Sequence, residues 1–177
     1  MWSWCNIYGH DIDKYLTNME ALISEYGVNG TKIKDGTRTV PVTFVFMTGH
    51  TNAGSTENEW TFEANKKIRQ HCIDNERVLF DFFDIESYNP DGSYFGDGEA
   101  NQSNYGTYNG LKDLEDDCSY NLSGGGRGNW ASEWRNAHQE NIDWYNCSSA
   151  HSDALNANMK AYAAWWLWAR LAGWSGQ

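Results

Sequence analysis

The stretch Val42-Thr43-Phe44-Val45-Phe46-Met47-Thr48-Gly49-His50 consists of β-branched and aromatic residues that give way to small polar ones at its carboxyl end. A run that is apolar on both faces predicts a strand buried inside a parallel sheet. Residues 78–84 (VLFDFFD) have the same character and predict a second strand. Between them, residues 57–73 predict a helix, because apolar side chains recur at a spacing of four: Trp60, Ala64, Ile68 and Cys72. Strand, helix and strand in this order predict a right-handed βαβ unit.

Further elements are predicted on both sides of this unit. Residues 1–6 have the pattern of a hydrophobic strand that ends in a small polar cluster, and residues 11–26 predict a helix from an apolar stripe. Residues 129–138 predict a short helix, and residues 153–172 predict a longer one with Ser152 as its N-cap. The apolar side chains of this last helix are expected to pack on the sheet: Leu155, Met159, Tyr162, Ala163, Trp166, Leu167 and Leu171.

Together these elements predict an α/β fold with a parallel sheet. Three strands make a thin sheet, since open α/β sheets usually carry about five. Either a further element lies in the long stretch of residues 87–128, which is rich in Gly, Asn, Asp, Ser and Tyr, or the fold begins upstream of Met1. A length of 177 residues predicts a single domain.

The charge balance limits the classes of partner. A formal net charge of −11 repels phosphate groups, which predicts that the chain binds neither nucleic acid nor an anionic membrane. The same charge also serves solubility alone. No run of 18 apolar residues indicates a membrane span. Ten Trp and ten Tyr exceed what a core of this size needs, so some planar rings are expected at a surface, where a sugar or a partner can contact them.

The four cysteines are widely separated and include no CxxC pair. This spacing argues against a zinc cluster or a redox motif, and neither a metal nor a cofactor is expected. Four cysteines allow three pairings. Cys118 and Cys147 flank an irregular region and are the favoured disulfide in an oxidising compartment, whereas Cys5 and Cys72 lie in predicted elements and are expected as buried thiols.

Of two glycine-rich motifs, the first favours a plain turn over a calcium site and the second is not a phosphate loop. Residues 89–99 (NPDGSYFGDGE) place oxygen ligands at short spacing, as calcium loops do, but they lack the alternating acidic register of an EF-hand. Residues 124–128 (GGGRG) follow no predicted strand and lack the Lys-Ser/Thr pair of a phosphate loop.

Polar side chains suited to acid–base chemistry gather at the predicted carboxyl ends of the strands. Asn6 follows the first strand and His50 the second. Asp84, with Glu86 close by, follows the third strand, and His151 precedes the last helix. Ligands of parallel α/β sheets bind at this edge, so these groups form the candidate site. Structural roles are also open: His50 can bond a backbone carbonyl, and Asp84 can cap a helix.

Four stretches carry a family resemblance: residues 2–5, 42–50, 78–88 and 151–174. The last contains the most distinctive run, KAYAAWWLWARLAGW at residues 160–174. On these motifs, which are spread over nearly the whole chain, the sequence resembles bacterial proteins of the SGNH (GDSL-like) hydrolase superfamily. The resemblance implies a three-layer αβα, flavodoxin-like fold and ester hydrolysis by a Ser nucleophile, a His base and an oxyanion hole. It implies that His151 is the base and that Asn6 is an oxyanion donor.

The chain departs from this family in several places. The family's Ser motif, which follows its first strand, does not occur, and the region of the first two strands has no counterpart. Ser148 stands where the family has the Asp that orients the catalytic His151, so Asp153 or Asp84 would have to replace it. Ser3 lies inside a predicted strand and is not predicted to be the nucleophile.

Three functions remain open from the sequence. The first is an esterase-type hydrolase domain that acts on acyl esters of small molecules or carbohydrates, with His151, Asn6, His50 and Asp84 as the candidate catalytic residues. The second is a non-catalytic carbohydrate-binding module, which surface aromatic residues and the missing nucleophile favour. The third is an inactive piece of a longer hydrolase, with Met1 as an internal methionine. The sequence indicates neither the oligomeric state nor the cell compartment.

Overall fold

Two short parallel strands lie at the centre of the fold in the computed structural model, which describes residues 1–100 and 105–176. Strand β1 (Val45–Met47) pairs with β2 (Val78–Phe80) in parallel register. Both strands lie within the runs that the sequence predicts, although each is shorter than predicted. The protein therefore has mixed helix and strand content with a parallel strand pair.

Helix α3 (Ser55–Asp74) connects these two strands and packs against both of them. Part of its buried face is polar, since the Asn65 side chain accepts a hydrogen bond from Gly49 N at 2.8 Å and donates one to Gly49 O at 3.2 Å. Gly49 also lies so close to Ile7 that a Cβ atom at this position would overlap the isoleucine side chain. Glycine is therefore required where β1 ends.

Helix α1 (Ile12–Tyr26) packs beside α3, as the apolar stripe predicts. The Asp11 carboxylate caps its first turn by accepting a backbone N–H at 2.9 Å. Tyr15 and Met19 are buried, and they share one core cluster with Phe46 of β1. A single turn of helix, α2 (Thr31–Lys34), follows.

The strand expected at residues 1–6 is not formed, and a side chain accounts for its absence. The Tyr15 hydroxyl donates a hydrogen bond to Trp2 O at 3.2 Å and accepts one from Met47 N at 3.2 Å. A phenol therefore stands between the free edge of β1 and the N-terminal stretch, where ladder hydrogen bonds between backbones were expected. The stretch lies beside β1 without pairing to it.

The strand predicted at residues 78–84 also ends early, because Asp81 starts a helix. Its Oδ1 accepts a hydrogen bond from Asp84 N at 3.1 Å and so caps α4 (Phe82–Ser87). The Arg69 guanidinium binds the same carboxylate at 2.6 Å and fixes its position. The residues that the sequence predicts as the end of a strand therefore turn into a helix.

The long stretch of residues 87–128 contains regular structure, one of the two alternatives that the sequence left open, but this structure forms a separate sheet and does not extend the parallel pair. An antiparallel hairpin is formed by β3 (Ser119–Asn121) and β4 (Arg127–Asn129). Gly125 and Gly126 have positive φ angles in its turn, so the GGGRG motif is a hairpin turn. Residues 101–104 of the stretch lie outside the described part of the chain.

Asp97 organises the loop before this hairpin. Its carboxylate accepts hydrogen bonds from the backbone N–H groups of Lys112 at 2.7 Å and Asp113 at 2.9 Å. The acidic motif at residues 89–99 therefore supplies an acceptor for loop backbone, in line with the turn that the sequence favours.

Two helices complete the chain, α5 (Trp130–Asn136) and α6 (Ala154–Leu171), each within the range predicted for it. Asp153 caps α6 by accepting Leu155 N at 2.8 Å, so the predicted N-cap, Ser152, is wrong by one residue. The predicted packing of α6 on the sheet is also wrong. Its first half packs against α4 and α5, and residues 161–176 include no buried side chain.

The four cysteines are free thiols. The favoured disulfide between Cys118 and Cys147 is not formed, because Cys118 is fully buried beside Trp130 and Leu114 in the second core cluster whereas Cys147 is exposed. Cys72 is buried as expected, and Cys5 is exposed, which contradicts its expected burial.

Candidate functional site

A cleft with a volume of about 600 Å³ separates the N-terminal stretch from the start of α6. We call it the central cleft. It lies where β1 ends, at the edge of the parallel strand pair where the sequence predicts the candidate site. Its lining consists of Trp2, Ser3, Trp4, Cys5, Met47, Thr48, His50, Phe82, Glu86, Ser149, Ala150, His151 and Lys160.

His151 stands on one wall of the cleft in contact with a carboxylate. Its Nδ1 lies 3.2 Å from Asp116 Oδ2. The histidine side of this pair is open to solvent, since 72% of the His151 side chain is exposed. In the neutral tautomer that directs its Nδ1 proton towards the carboxylate, Nε2 is a proton acceptor. His151 also has a φ angle of 52°, in the left-handed region. Residues held in that region by their surroundings are frequent at functional sites.

His50 stands at the same cleft and is also held through its Nδ1 atom. This nitrogen contacts the carbonyl oxygen of Thr51. Because a carbonyl oxygen only accepts, Nδ1 again carries the proton and Nε2 is the acceptor. His50 therefore binds a backbone carbonyl, which is the structural role that the sequence left open, and its second ring nitrogen takes no part in this contact.

The floor of the cleft is a buried ion pair between Glu86 and Lys160. Lys160 Nζ lies 2.7 Å from Glu86 Oε1, with 1% of the Glu86 side chain and 15% of the Lys160 side chain exposed. The ammonium group also donates to Ser152 Oγ at 2.9 Å and lies over the ring of Phe82. This pair joins α4 to α6, and both of its residues line the same cleft as the two histidines.

The second carboxylate oxygen of Glu86 binds the loop after β1. Oε2 accepts hydrogen bonds from Thr51 N at 2.7 Å and from Thr51 Oγ1 at 3.0 Å. Burial raises the pKa of Glu86 above its usual value, and the charge of Lys160 opposes that rise. Glu86 thus ties the residue that follows His50 to helix α6.

Lys160 was missed as a site residue in the sequence, although a signal was present. It is the only charged residue between Asp153 and Arg170, in a stretch dominated by Ala, Trp and other apolar residues. A lone Lys in such a helix needs a partner when it is buried. The identity of that partner, Glu86, depends on packing between α4 and α6.

Asn6 lies outside the cleft lining. Its amide donates to Glu57 Oε2 at 3.2 Å, and its Oδ1 accepts from Tyr8 N at 2.8 Å. Both ends of the side chain are therefore engaged in local contacts. An oxyanion role for Asn6 requires the amide to leave Glu57 first.

Asp84 also lies outside the cleft lining. Burial, followed by the nearby charge of Asp81, raises the pKa of Asp84 to about 6, although the charge of Arg69 opposes the shift. Its Oδ1 is buried without a hydrogen-bond partner among the described residues. The structure thus brings His151 and His50 together and leaves Asp84 apart from them.

The acid beside His151 is one that the sequence did not single out. Asp153, one of the two replacements considered, binds Arg135 Nη2 at 2.7 Å and caps α6. Asp116 comes instead from the long stretch before the hairpin. No spacing rule links Asp116 to His151, because the loop that carries it has no regular period.

Three small side chains with hydroxyl or thiol groups line the cleft: Ser3, Cys5 and Ser149. Ser3 Oγ is buried and has no hydrogen-bond partner among residues 1–100 and 105–176. Cys5 is an exposed free thiol. Thr48, by contrast, uses its hydroxyl to bind Asp81 at 2.9 Å.

Comparison with known proteins adds no relative: no family model, no curated protein and no solved structure matches the chain. Within the described residues, no helix is long and apolar enough to cross a membrane. The same part of the chain contains no group of three or more His, Cys, Asp or Glu side chains placed to hold a metal ion.

Proposed function

We propose that the chain is an ester hydrolase domain whose central cleft binds an acyl ester and whose base is His151. The observation that carries this proposal is the contact between His151 Nδ1 and Asp116 Oδ2 at 3.2 Å, on a wall of the cleft. A carboxylate that orients a histidine and leaves Nε2 free is the arrangement that general-base catalysis of acyl transfer requires.

The proton transfers follow from this arrangement. His151 Nε2 takes the proton of a nucleophile in the cleft as that nucleophile attacks the acyl carbonyl carbon. The imidazolium that forms is stabilised by Asp116, and it returns the proton to the alcohol oxygen when the ester bond breaks. With a Ser or Cys nucleophile this step leaves an acyl-enzyme. A water molecule that gives its proton to Nε2 then attacks the acyl carbon, the bond to the side chain breaks, His151 returns the proton to the side-chain oxygen or sulfur, and the free acid leaves. Ser3, Cys5 and Ser149 are the candidate nucleophiles, since each lines the cleft, and water activated by His151 is the alternative.

Carbohydrate esters are the substrate class that the cleft walls favour. Trp2 and Trp4 line one wall, and 54% of Trp2 is exposed. Planar indole rings cover the apolar face of a sugar ring at a small entropic cost. The proposed substrates are therefore acylated sugars.

A three-layer, flavodoxin-like arrangement is part of the same proposal. Helices α1 and α3 share one core with β1, and α3 also packs on β2, while α6 packs against α4 and α5. One helical layer on the parallel strand pair, together with a second, separate group of helices, supports the proposed three-layer arrangement. Circular dichroism and a crystal structure would test it, and a crystal structure without two helical layers would exclude it.

The catalytic proposal is tested with p-nitrophenyl acetate and acetylated xylose. We expect the chain to hydrolyse both, and His151→Ala to lower kcat/KM at least 100-fold, in the range that general-base catalysis contributes. The matched control is His138→Ala, because His138 stacks on Trp134 and does not line the cleft. Full activity in His151→Ala would refute the assignment of the base.

The nucleophile is then identified by three single variants: Ser3→Ala, Cys5→Ala and Ser149→Ala. Loss of activity in one of them, with trapping of an acyl adduct on the wild-type residue by mass spectrometry, assigns the nucleophile. Full activity in all three favours activated water. Absence of hydrolysis by the wild-type chain would exclude catalysis by this chain alone.

A second candidate function, carbohydrate binding without catalysis, is favoured by the same exposed Trp2. Titration of a panel of polysaccharides, followed by Trp fluorescence, tests it. Binding that Trp2→Ala abolishes, in a chain that hydrolyses no ester, would replace the hydrolase proposal.

A further inference from the structure

The second half of helix α6 is apolar on nearly all sides, yet none of its residues is buried. Between Ala161 and Trp174 the only charged side chain is Arg170. Trp165 is 77% exposed and Trp168 is 61% exposed. A helix that is apolar all round is normally covered by other protein or by lipid.

Most of the large exposed rings lie on one side of this helix. At about 100° per residue, the arc that holds them spans about 160°. Its members, which we call the aromatic face, are Tyr162, Trp165, Trp166 and Trp168, with Ala161, Ala169 and Ala172 between them. Arg170 falls outside the arc. The face is therefore uncharged, and its alanines leave room for a second helix to approach closely.

The charge distribution indicates which kind of partner covers the aromatic face. Residues 154–176 contain Lys160 and Arg170 but no acidic side chain, whereas the whole chain has a net charge of −11. Two copies repel each other wherever their acidic surfaces meet, and only a neutral face lets them approach without that repulsion. An anionic lipid surface would be repelled by the rest of the molecule, and the face carries no cation to compensate.

The area of the face matches what a stable pair of copies needs. From the exposed fractions of its four rings, the face offers about 600 Å² per copy. Two copies together would bury about 1,200 Å², which is at the lower end of the range of specific protein–protein interfaces.

We propose that the aromatic face joins two copies of this chain into a symmetric dimer, with the two α6 helices antiparallel across a two-fold axis. Each copy contributes the same face, so the contact is closed and ends at two copies. The alanines lie opposite the rings of the partner helix, which permits the interaxial separation of packed helices. No residue of the face lines the central cleft, so the dimer is independent of the proposed hydrolase activity.

Analytical ultracentrifugation of the full chain, from 1 to 200 µM, tests the dimer. The chain has a mass of 20.2 kDa, and we expect a species of twice that mass to become dominant as the concentration rises. In Trp165→Glu/Trp168→Glu, we expect dimer affinity to fall at least about 100-fold, because two charges replace central aromatic contacts. Far-UV circular dichroism should remain unchanged, since both side chains are exposed.

The matched control is Leu111→Glu/Ile142→Glu, which adds the same two charges at exposed apolar positions outside α6. It should dimerise at the wild-type affinity, apart from a weaker effect of the added net charge. A wild-type chain that is monomeric at 200 µM overturns the proposal. Equal loss of the dimer in both double variants also overturns the proposal, and so does growth into larger open assemblies. A chain that stays monomeric and uses the aromatic face to bind neutral lipid vesicles or polysaccharide overturns it as well.

Discussion

Replacement of Lys160 by methionine leaves the Glu86 carboxylate buried without its cation. The two charged atoms lie 2.7 Å apart, and the Glu86 side chain is only 1% exposed. At an effective dielectric constant of about 20, the attraction between unit charges at this separation is about 6 kcal/mol. Desolvation offsets part of this value in the folded protein, and removal of one partner of a buried pair typically costs about 3–5 kcal/mol. We therefore expect Lys160→Met to lower the free energy of unfolding by about 3–5 kcal/mol at pH 8.

The loss should depend on pH with a defined sign. Burial already raises the pKa of Glu86, and removal of the Lys160 charge, which opposes that rise, must raise the pKa further. An acid whose folded pKa is raised favours the folded state at low pH, and that contribution is lost as the pH rises through the folded pKa. The destabilisation in Lys160→Met should therefore shrink as the pH is lowered from 8 towards 5.

Urea denaturation followed by far-UV circular dichroism measures both effects. The double variant Lys160→Met/Glu86→Gln should recover most of the lost stability, because a neutral amide oxygen can still accept the hydrogen bonds from Thr51. Lys66→Met is the surface control: its partner Glu63 lies 3.1 Å away and is 51% exposed, so a loss of less than about 1 kcal/mol is expected. A loss below 1 kcal/mol in Lys160→Met at pH 8, or no recovery in the double variant, would refute the reasoning.

Three further outcomes are expected. Asp84→Asn should stabilise the protein at pH 7.5 by up to about 3 kcal/mol, because the folded-state pKa of about 6 shows that the fold disfavours the charged carboxylate. In urea titrations this gain in the free energy of unfolding should vanish below about pH 4, where the acid is protonated in both states. A gain that does not change with pH would contradict the prediction. Gly49→Ala should cost about 1–3 kcal/mol in the same assay, because its Cβ overlaps Ile7, whereas Gly124→Ala, which meets open space, should cost far less. Asp116→Asn should lower esterase kcat/KM at least 10-fold in the p-nitrophenyl acetate assay, and an unchanged value would remove Asp116 from the proposed mechanism.

The parts of the fold that the sequence predicts are those set by local periodicity. Helix α1 follows from its apolar stripe, and α3 from apolar side chains at a spacing of four. The position of β1 follows from its run of β-branched and aromatic residues. These patterns are local in sequence, and packing against neighbouring elements does not change the secondary structure that they predict.

The features that the sequence does not predict all depend on contacts between distant segments. A Tyr15 hydroxyl replaces strand pairing at residues 1–6, and the Asp81 carboxylate turns the end of a predicted strand into α4. In the candidate site, His50 and His151 are predicted by their places beside a strand and a helix. Asp116 is not, because its approach to His151 depends on an irregular loop.

The two hydrogen bonds of the Tyr15 hydroxyl, to Trp2 O and from Met47 N, also affect how readily the central cleft changes width. The cleft wall that carries Trp2 is joined to the free edge of β1 through one phenol and its two hydrogen bonds. Separation of two paired strands breaks a cooperative series of hydrogen bonds, whereas displacement of this wall breaks one hydrogen bond from Tyr15 and the ring contacts that Trp2 and Trp4 make with Tyr15. We therefore expect local opening at the N-terminal stretch to cost less free energy than global unfolding. In the proposed hydrolase, such opening would give a bulky substrate a route into the central cleft.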